Sequence, residues 1–257
     1  MNHGRPPAWH RRARPLLGTL VEVGVPACGG SGQVQRAIDA AFAAIQLAQD
    51  CLSRFDPNSD LSLFHALRRG ERVRLRPVTR DVLAAARELQ GASGGLFDIS
   101  IGTAPEGWVV EGAELVKLQD QVRLDLGGIG KGHAVDLAMQ ALISCGCTKG
   151  WINAGGDLRA FGDIETPIHL RHEDRGGVRS FAMLRDGAFA TSVFGPGRRA
   201  RLTGQSVNCS TTVHVSVAAP RCLWADALTK VVAASGDAAH PLLGRYGASA
   251  WLHSLQA

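Results

Sequence analysis

Residues 168–192, "IHLRHEDRGGVRSFAMLRDGAFATS", decide the fold class. They contain three short strand-like runs, IHLRHE, VRSFAML and GAFATS, with turn signals between them. Parallel neighbours need a crossover of about a dozen residues or more, far longer than these gaps, so the runs are expected to pair antiparallel.

The same reading extends along the chain in both directions. Downstream, "VHVSVAAP" reads as a strand, "LWADALTKVVAASG" as a helix and "ASAWLHS" as a last strand. Upstream, "KGWINAGGDLRAFG" reads as a strand interrupted by a Gly pair, the mark of a bulge or of close backbone approach. "KGHAVDLAMQALISCG" reads as a helix closing on Gly146, and "QVRLDLGG" alternates as a strand with Val122, Leu124 and Leu126 on one face. Nearer the start, "PLLGTLVEVGVPAC" alternates as a strand. "SGQVQRAIDAAFAAIQLAQDCLSRF" then puts Val34, Ala37, Ile38, Ala41, Ile45 and Ala48 on one helical face. A further helix, "TRDVLAAARELQGAS", stops at the Gly pair 94–95. The expected class is α+β, with a largely antiparallel mixed sheet and packed helices, in one domain over 15–257 preceded by a basic flexible tail over 1–14.

With 257 residues, 45% of them apolar, the chain has ample material for a buried core. The net charge of +5 is concentrated in "GRPPAWHRRARP" and "GPGRRARL", and aromatics make up 5%. A local basic loop of this kind suits a phosphate-bearing small molecule, and no nucleic-acid partner is expected. Cys28, Cys51, Cys145, Cys147, Cys209 and Cys222 lack metal-finger spacing, so they are expected as buried or partly buried thiols in a reducing compartment. No apolar run approaches the ~18 residues of a membrane span. Glu22 and Pro26 argue against an export signal, so a cytoplasmic protein without stable membrane insertion is expected.

The segment "RLDLGGIGKGHAVDLA", residues 123–138, is a Gly-rich turn between an alternating run and a helix, where backbone amides can face an anion. It lacks the Gly spacing and the Ser or Thr of a Walker loop, and the acidic residue of a dinucleotide fingerprint. Lys131 at a helix start opposes the helix dipole, which points to a functional reason for it. Asp157 after "NAGG" reads equally as a capping or a site carboxylate. Asp98, between apolar neighbours, reads on residue type as structural.

Taken in order, "GGLFD", "LDLGGIGKGHAVD", "NAGGDL" and "ADALTK" resemble the ApbE family, flavin transferases that move FMN from FAD onto a protein threonine. The resemblance runs from about Leu17 to the end of the chain. It implies an ApbE-like fold and FAD contacts at Leu17 of "LGT", Phe55 of "SRFDPNSD", Leu96, Phe97, Asp98, Asp125, Gly130, Lys131 and Asp157. It also implies Mg2+ held by the Gly128 backbone carbonyl, Asp226 and Thr229, with Asp226 and Lys131 at the chemistry and AMP as leaving group. The partner implied is an acceptor flavoprotein with a modifiable Thr.

This sequence departs from the family pattern at three places. The family's Thr four residues after the Asp is Lys230 here, with Thr229 one position earlier. Either Thr229 serves from i+3, the preferred reading because i+3 shares the helix side, or the Lys230 ammonium takes the place of metal charge. In "ATSVFGPGRRARLTGQ", Val193 replaces a Gly and the family's His motif is missing; Thr203 and Gly204 stand at its end, and Arg198, Arg199 or Arg201 offer phosphate contacts instead. His65 stands where the family often has Asn, and neither it nor His133 is assigned chemistry. The expected function is therefore Mg-dependent FMN transfer. A rival reading is an ApbE-like FAD or nucleotide binder without transfer, with FAD hydrolysis to FMN and AMP between them.

Overall fold

Every pairing among the described strands is antiparallel, so the sheet has no mixed component there. The computed structural model describes residues 9–27, 31–171, 177–195 and 212–254. Its main sheet has the order β1 (Trp9–Leu16), β2 (Thr19–Pro26), β6 (Gly150–Ala154), β7 (Asp157–Arg171), β8 (Val178–Phe194), β9 (Val213–Ala219) and β10 (Ser249–Ser254). A smaller sheet, β3 (Arg72–Arg74), β5 (Glu114–Lys117) and β4 (Trp108–Glu111), escaped the sequence reading because its strands are only three or four residues long. The helices are α1 (Ser31–Leu52), α2 (Asp60–Ala66), α3 (Pro77–Ala92), α4 (Gly130–Ser144), α5 (Cys222–Ser235) and α6 (Leu242–Arg245).

Four local expectations are corrected. The basic residues expected in a tail over 1–14 lie, from Trp9 onward, in β1, where Arg14 reaches Asp39 of α1 at 2.7 Å and covers the Phe42 ring. The turn expected between VRSFAML and GAFATS does not end a strand: β8 runs through it, with Asp186 at φ 34° opposite a register shift in β7. The Gly155–Gly156 pair is a two-residue hairpin turn between Ala154 and Asp157, with φ of 62° and 106°. Positive φ at both central residues matches the strand twist of a tight hairpin. Finally, residues 122–126 form no ladder. Their alternating burial survives because Leu124 N–H donates to His65 Nε2 at 2.9 Å and Asp125 N–H to the Ile99 carbonyl at 2.8 Å.

Two turns meet at one end of the sheet. Leu17 and Gly18 close the β1–β2 hairpin at φ 55° and 70°. A non-Gly residue rarely adopts that conformation; Leu17 is held there by its N–H donating to Gln49 Oε1 at 2.6 Å. A Cβ on Gly155 would come within 2.3 Å of Thr19 Oγ1, so the β6–β7 turn lies directly against the β1–β2 turn.

The expected α1 face is buried throughout and packs on Val21, Val23 and Val25 of β2 and on Ala134, Val135 and Ala138 of α4. Burial of each Val or Ile there contributes about 1.5–3 kcal/mol. A second core joins α3 (Val82, Leu83) and α5 (Leu228, Val231) to Trp108 of β4 and Val217 of β9. Among the described residues, no helix is long and apolar enough to cross a membrane.

Helices α4 and α5 cap one another. Asp136 of α4 accepts from Cys222 N–H and Leu223 N–H at 2.9 and 3.0 Å, supplying the α5 cap that Arg221 does not. Asp226 of α5 in return accepts from Gly132 N–H in the first turn of α4 at 3.2 Å. Asp136 is buried and is also the nearby anion for Arg159 and Arg221, at 3.8 and 3.5 Å. Asp136→Ala would leave two amide donors and the buried Arg159 guanidinium without that carboxylate, for an expected loss of about 3 kcal/mol in urea unfolding. A loss under about 1 kcal/mol would show that the cap is dispensable.

Candidate active site

A cleft of about 700 Å³ opens beside the paired turns, at the N-terminus of α4. Its walls come from the Leu17–Gly18 turn, the end of α1 with Arg54 and Phe55, the 97–101 loop, the 125–131 Gly turn, and Ser192, Val193 and Lys230. Cleft size and the mixture of apolar wall with a few polar groups suit a small-molecule site.

Of the residues singled out by sequence, Leu17, Phe55, Phe97, Asp98, Asp125, Gly128, Gly130 and Lys131 line this cleft. Phe55 is 83% exposed, so a large flat apolar surface lines the cleft, with the Arg54 guanidinium over its ring at 4.8 Å. An uncovered ring of this kind offers a stacking platform. Asp125 accepts from Arg54 Nη1 at 3.0 Å and from Gly127 N–H at 2.8 Å, which ties the Gly turn to the end of α1. Asp98 is buried and accepts locally from Ser100 N–H, Ser100 Oγ and Gly102 N–H at 2.8, 2.8 and 3.0 Å. Leu96 is half-buried against the second core and is not part of the cleft wall.

Asp157, Asp226 and Thr229 lie behind the wall rather than on it, all of them buried. The β6–β7 turn delivers Asp157 to Lys131, with which it forms an ion pair, and Lys131 Nζ also lies 3.9 Å from Asp226 Oδ2. Lys230 contacts Asp226 Oδ1 directly, donates to the Asp226 backbone carbonyl at 2.9 Å and to Ser192 Oγ at 3.2 Å. The two carboxylates thus face two ammonium groups.

Charge in this cluster is set by burial and by its partners. Burial alone would raise the Asp226 pKa, but Lys131, Lys230 and the Gly132 amide hold it below the ordinary carboxylate value. Burial would lower the Lys131 pKa, yet Asp226 and Asp157 raise it, so this lysine stays charged. Asp157 is pushed up to about 6 by burial and by the Asp226 charge, against the pull of Lys131 and Lys230.

The arrangement does not fit Mg2+ at the expected ligands. The Thr229 hydroxyl donates to the Asp226 carbonyl at 2.7 Å and lies 2.9 Å from Ser192 Oγ, while it is the Lys230 ammonium that meets the Asp226 carboxylate. The Lys230 stem also crosses Gly128: its Cε is 3.2 Å from where a Gly128 Cβ would stand. Among the described residues no three His, Cys, Asp or Glu side chains gather in a metal-holding group.

Arg54, Asp136 and Ser192 lie within the quoted motif stretches and Gln49 within the α1 run, but the sequence reading gave none of them a role, because each acts through a fold contact. His65 anchors the segment before the Gly turn, and His133 Nε2 lies 3.1 Å from the Val78 carbonyl; burial lowers both pKa values and favours the neutral rings. Cys51, Cys147 and Cys222 are buried and Cys145 is half-buried. Arg198, Arg199, Arg201, Thr203, Gly204, Cys28 and Cys209 lie outside the described residues.

Comparison with known proteins places this geometry in context. The sequence model of the ApbE family matches residues 17–115 and 103–250. A curated relative, FAD:protein FMN transferase from Rhodobacter capsulatus, is 26% identical over 208 residues, covering 67% of this chain and 39% of that protein. The match therefore spans about two fifths of the relative's length. Flavin Transferase ApbE from Vibrio cholerae has a similar fold, with a TM-score of 0.80, 21% identity and coverage of 98% of this chain and 95% of that one. The Pseudomonas stutzeri flavinyl transferase ApbE in its apo form gives a TM-score of 0.81 at 21% identity, over 100% and 94% of the two chains.

Proposed function

The chain belongs to the ApbE family, and from that premise we propose that it transfers FMN from FAD to a threonine hydroxyl of an acceptor flavoprotein, releasing AMP. The observation that carries the reading is the cleft itself. The same cleft is lined by the exposed Phe55 and by the Gly turn with Lys131, which supports a ligand carrying both a flat ring system and a pyrophosphate. The curated relative that matches is an FAD:protein FMN transferase.

In this reading the acceptor oxygen attacks the FMN phosphorus, a new P–O bond forms, the bond to the AMP oxygen breaks, and the hydroxyl proton is lost. Such transfers depend mainly on positioning and on neutralising charge. Phe55 and Leu17 would hold the isoalloxazine, the start of α4 with its dipole would face the phosphates, and the Lys131 ammonium would offset their charge. Asp157 and Asp226 hold that ammonium at the cleft wall. No step is assigned to magnesium, because the groups expected to bind it are engaged with one another. The acceptor is expected in the cytoplasm with the enzyme.

A second reading, FAD binding without transfer, is favoured by that same engagement of Asp226 and Thr229. The test is to incubate the purified protein with FAD and a candidate acceptor domain, in magnesium and in EDTA, and to follow AMP and FMN by chromatography. AMP release with FMN fixed to the acceptor is the expected result. Stoichiometric FAD binding without AMP would establish the second reading, and equal AMP and free FMN would mean hydrolysis.

A further inference from the structure

We propose that Lys230 is a built-in cation of the FAD cleft: its ammonium occupies the position at Asp226 that a divalent ion would need, and FAD binding is independent of such an ion. The inference rests on the flavin reading of the cleft and deepens it.

Three observations support it. An ammonium has three N–H donors, and that of Lys230 meets three oxygens: Asp226 Oδ1, the Asp226 carbonyl and Ser192 Oγ. This is a carboxylate, a carbonyl and a hydroxyl, the kind of oxygen set that a hard divalent cation takes. Second, Lys230 belongs to the cleft wall together with Gly128 and Lys131, and its side chain is 11% exposed. Its charge is thus fixed beside the space where a pyrophosphate would lie, while its stem covers Gly128. Third, the charges already balance: Asp157 and Asp226 face Lys131 and Lys230. A divalent ion entering at Asp226 would have to displace one ammonium and sit beside another, with like-charge repulsion opposing it.

The helix makes this choice by one position. Thr229 turns its hydroxyl to the carbonyl three residues back, as Ser and Thr do within helices. Lys230, four residues after Asp226, shares its side of α5, and a flexible stem lets its ammonium fold back onto the carboxylate.

The test uses the intact protein with FAD as ligand and Mn2+ as a paramagnetic probe of the apo site. FAD affinity is measured by flavin fluorescence in EDTA and in magnesium, and Mn2+ uptake by electron paramagnetic resonance without FAD. The wild type is expected to bind FAD with less than a twofold difference between the two buffers, and to take up no Mn2+ at micromolar concentration. Lys230→Thr is expected to bind FAD at least tenfold more weakly in EDTA, to recover most of that loss in magnesium, and to gain Mn2+ binding. Lys230→Met keeps the stem against Gly128 and removes only the charge. A tenfold loss in EDTA for this folded variant separates charge from packing.

Tenfold tightening of wild-type FAD binding by magnesium, or micromolar Mn2+ uptake by the wild-type apo protein, would overturn the built-in cation and leave the flavin reading standing. Failure of the wild type to bind FAD in both buffers would instead bring down the flavin reading, and with it the proposal.

Discussion

Asp226→Asn is expected to abolish AMP release from FAD and to lower unfolding stability by about 3–5 kcal/mol, the cost typical of leaving buried charge without its partner. Asp226 is fully buried and holds three groups together: the Lys131 and Lys230 ammoniums and the Gly132 amide. Asparagine keeps the volume and can still accept from Gly132, but its neutral amide leaves Lys230 with no carboxylate contact. The fold therefore does not tolerate this change as the metal-ligand reading of the sequence would suggest, in which only turnover is lost.

The structural origin of the loss can be separated from the catalytic one. Adding Lys230→Met to Asp226→Asn removes the orphaned ammonium, so the double variant should recover more than 1 kcal/mol in urea unfolding, as coupled neighbours do in a double-mutant cycle. Activity should stay absent. Additive losses would mean that the pair seen in the structure does not contribute. The pH dependence has a definite sign: because the folded pKa of Asp226 is lowered, its stabilisation is present above the ordinary carboxylate value near 3.8 and is lost as pH falls through the lowered one. The Asn variant should lack that acid limb.

The sequence carried the large elements because their periods are strong. The α1 face, the valines of β2 and the helix after the Gly turn are each legible from apolar spacing, and the short gaps between strand-like runs already imply an antiparallel sheet. Two local signals misled for physical reasons. A Gly pair in a strand reads as a bulge or a close backbone approach; the close approach, to Thr19, is present, but the pairing of Ala154 with Asp157 makes the pair a turn and not a bulge. The gap between VRSFAML and GAFATS reads as a turn, but Asp186 adopts its positive φ within a continuous strand, where the neighbouring strand supplies the extra residues. β3, β4 and β5 are too short to show a period, and residues 122–126 show the period without forming a ladder.

The cleft was legible only in part. Motif residues on the wall, such as Asp125, Gly128 and Lys131, could be picked out by resemblance. Which side chain meets Asp226 could not, since i+3 and i+4 both lie on its side of a helix and the difference depends on stem length and on Ser192, contributed by a strand 38 residues away in sequence. Asp136 was invisible as a cap for the same reason: its partners, Cys222 and Leu223, are 86 and 87 residues distant.

Gly132→Ala is expected to lower stability by about 3 kcal/mol and to weaken FAD binding more than tenfold, although alanine is the better helix former by about 1 kcal/mol. A Cβ at residue 132 would stand 2.3 Å from the Cys222 carbonyl oxygen, 2.7 Å from its carbon and 2.9 Å from Asp226 Cβ. The first two are backbone atoms at the start of α5, so no rotamer change relieves the clash and the helices must move apart. That movement lengthens the Gly132 N–H contact to Asp226 and the Cys222 and Leu223 contacts to Asp136, undoing both reciprocal caps at once. It also shifts Lys131, one residue away, relative to the Asp226 and Lys230 pair. Gly91→Ala in α3 provides the contrast: nothing lies within 4 Å of its added Cβ, so it should stabilise by about 0.5–1 kcal/mol. Urea unfolding of the two variants beside the wild type decides the matter. If Gly132→Ala were as stable as Gly91→Ala, the close approach of α4 and α5 would not be what holds the two lysines and two aspartates in register.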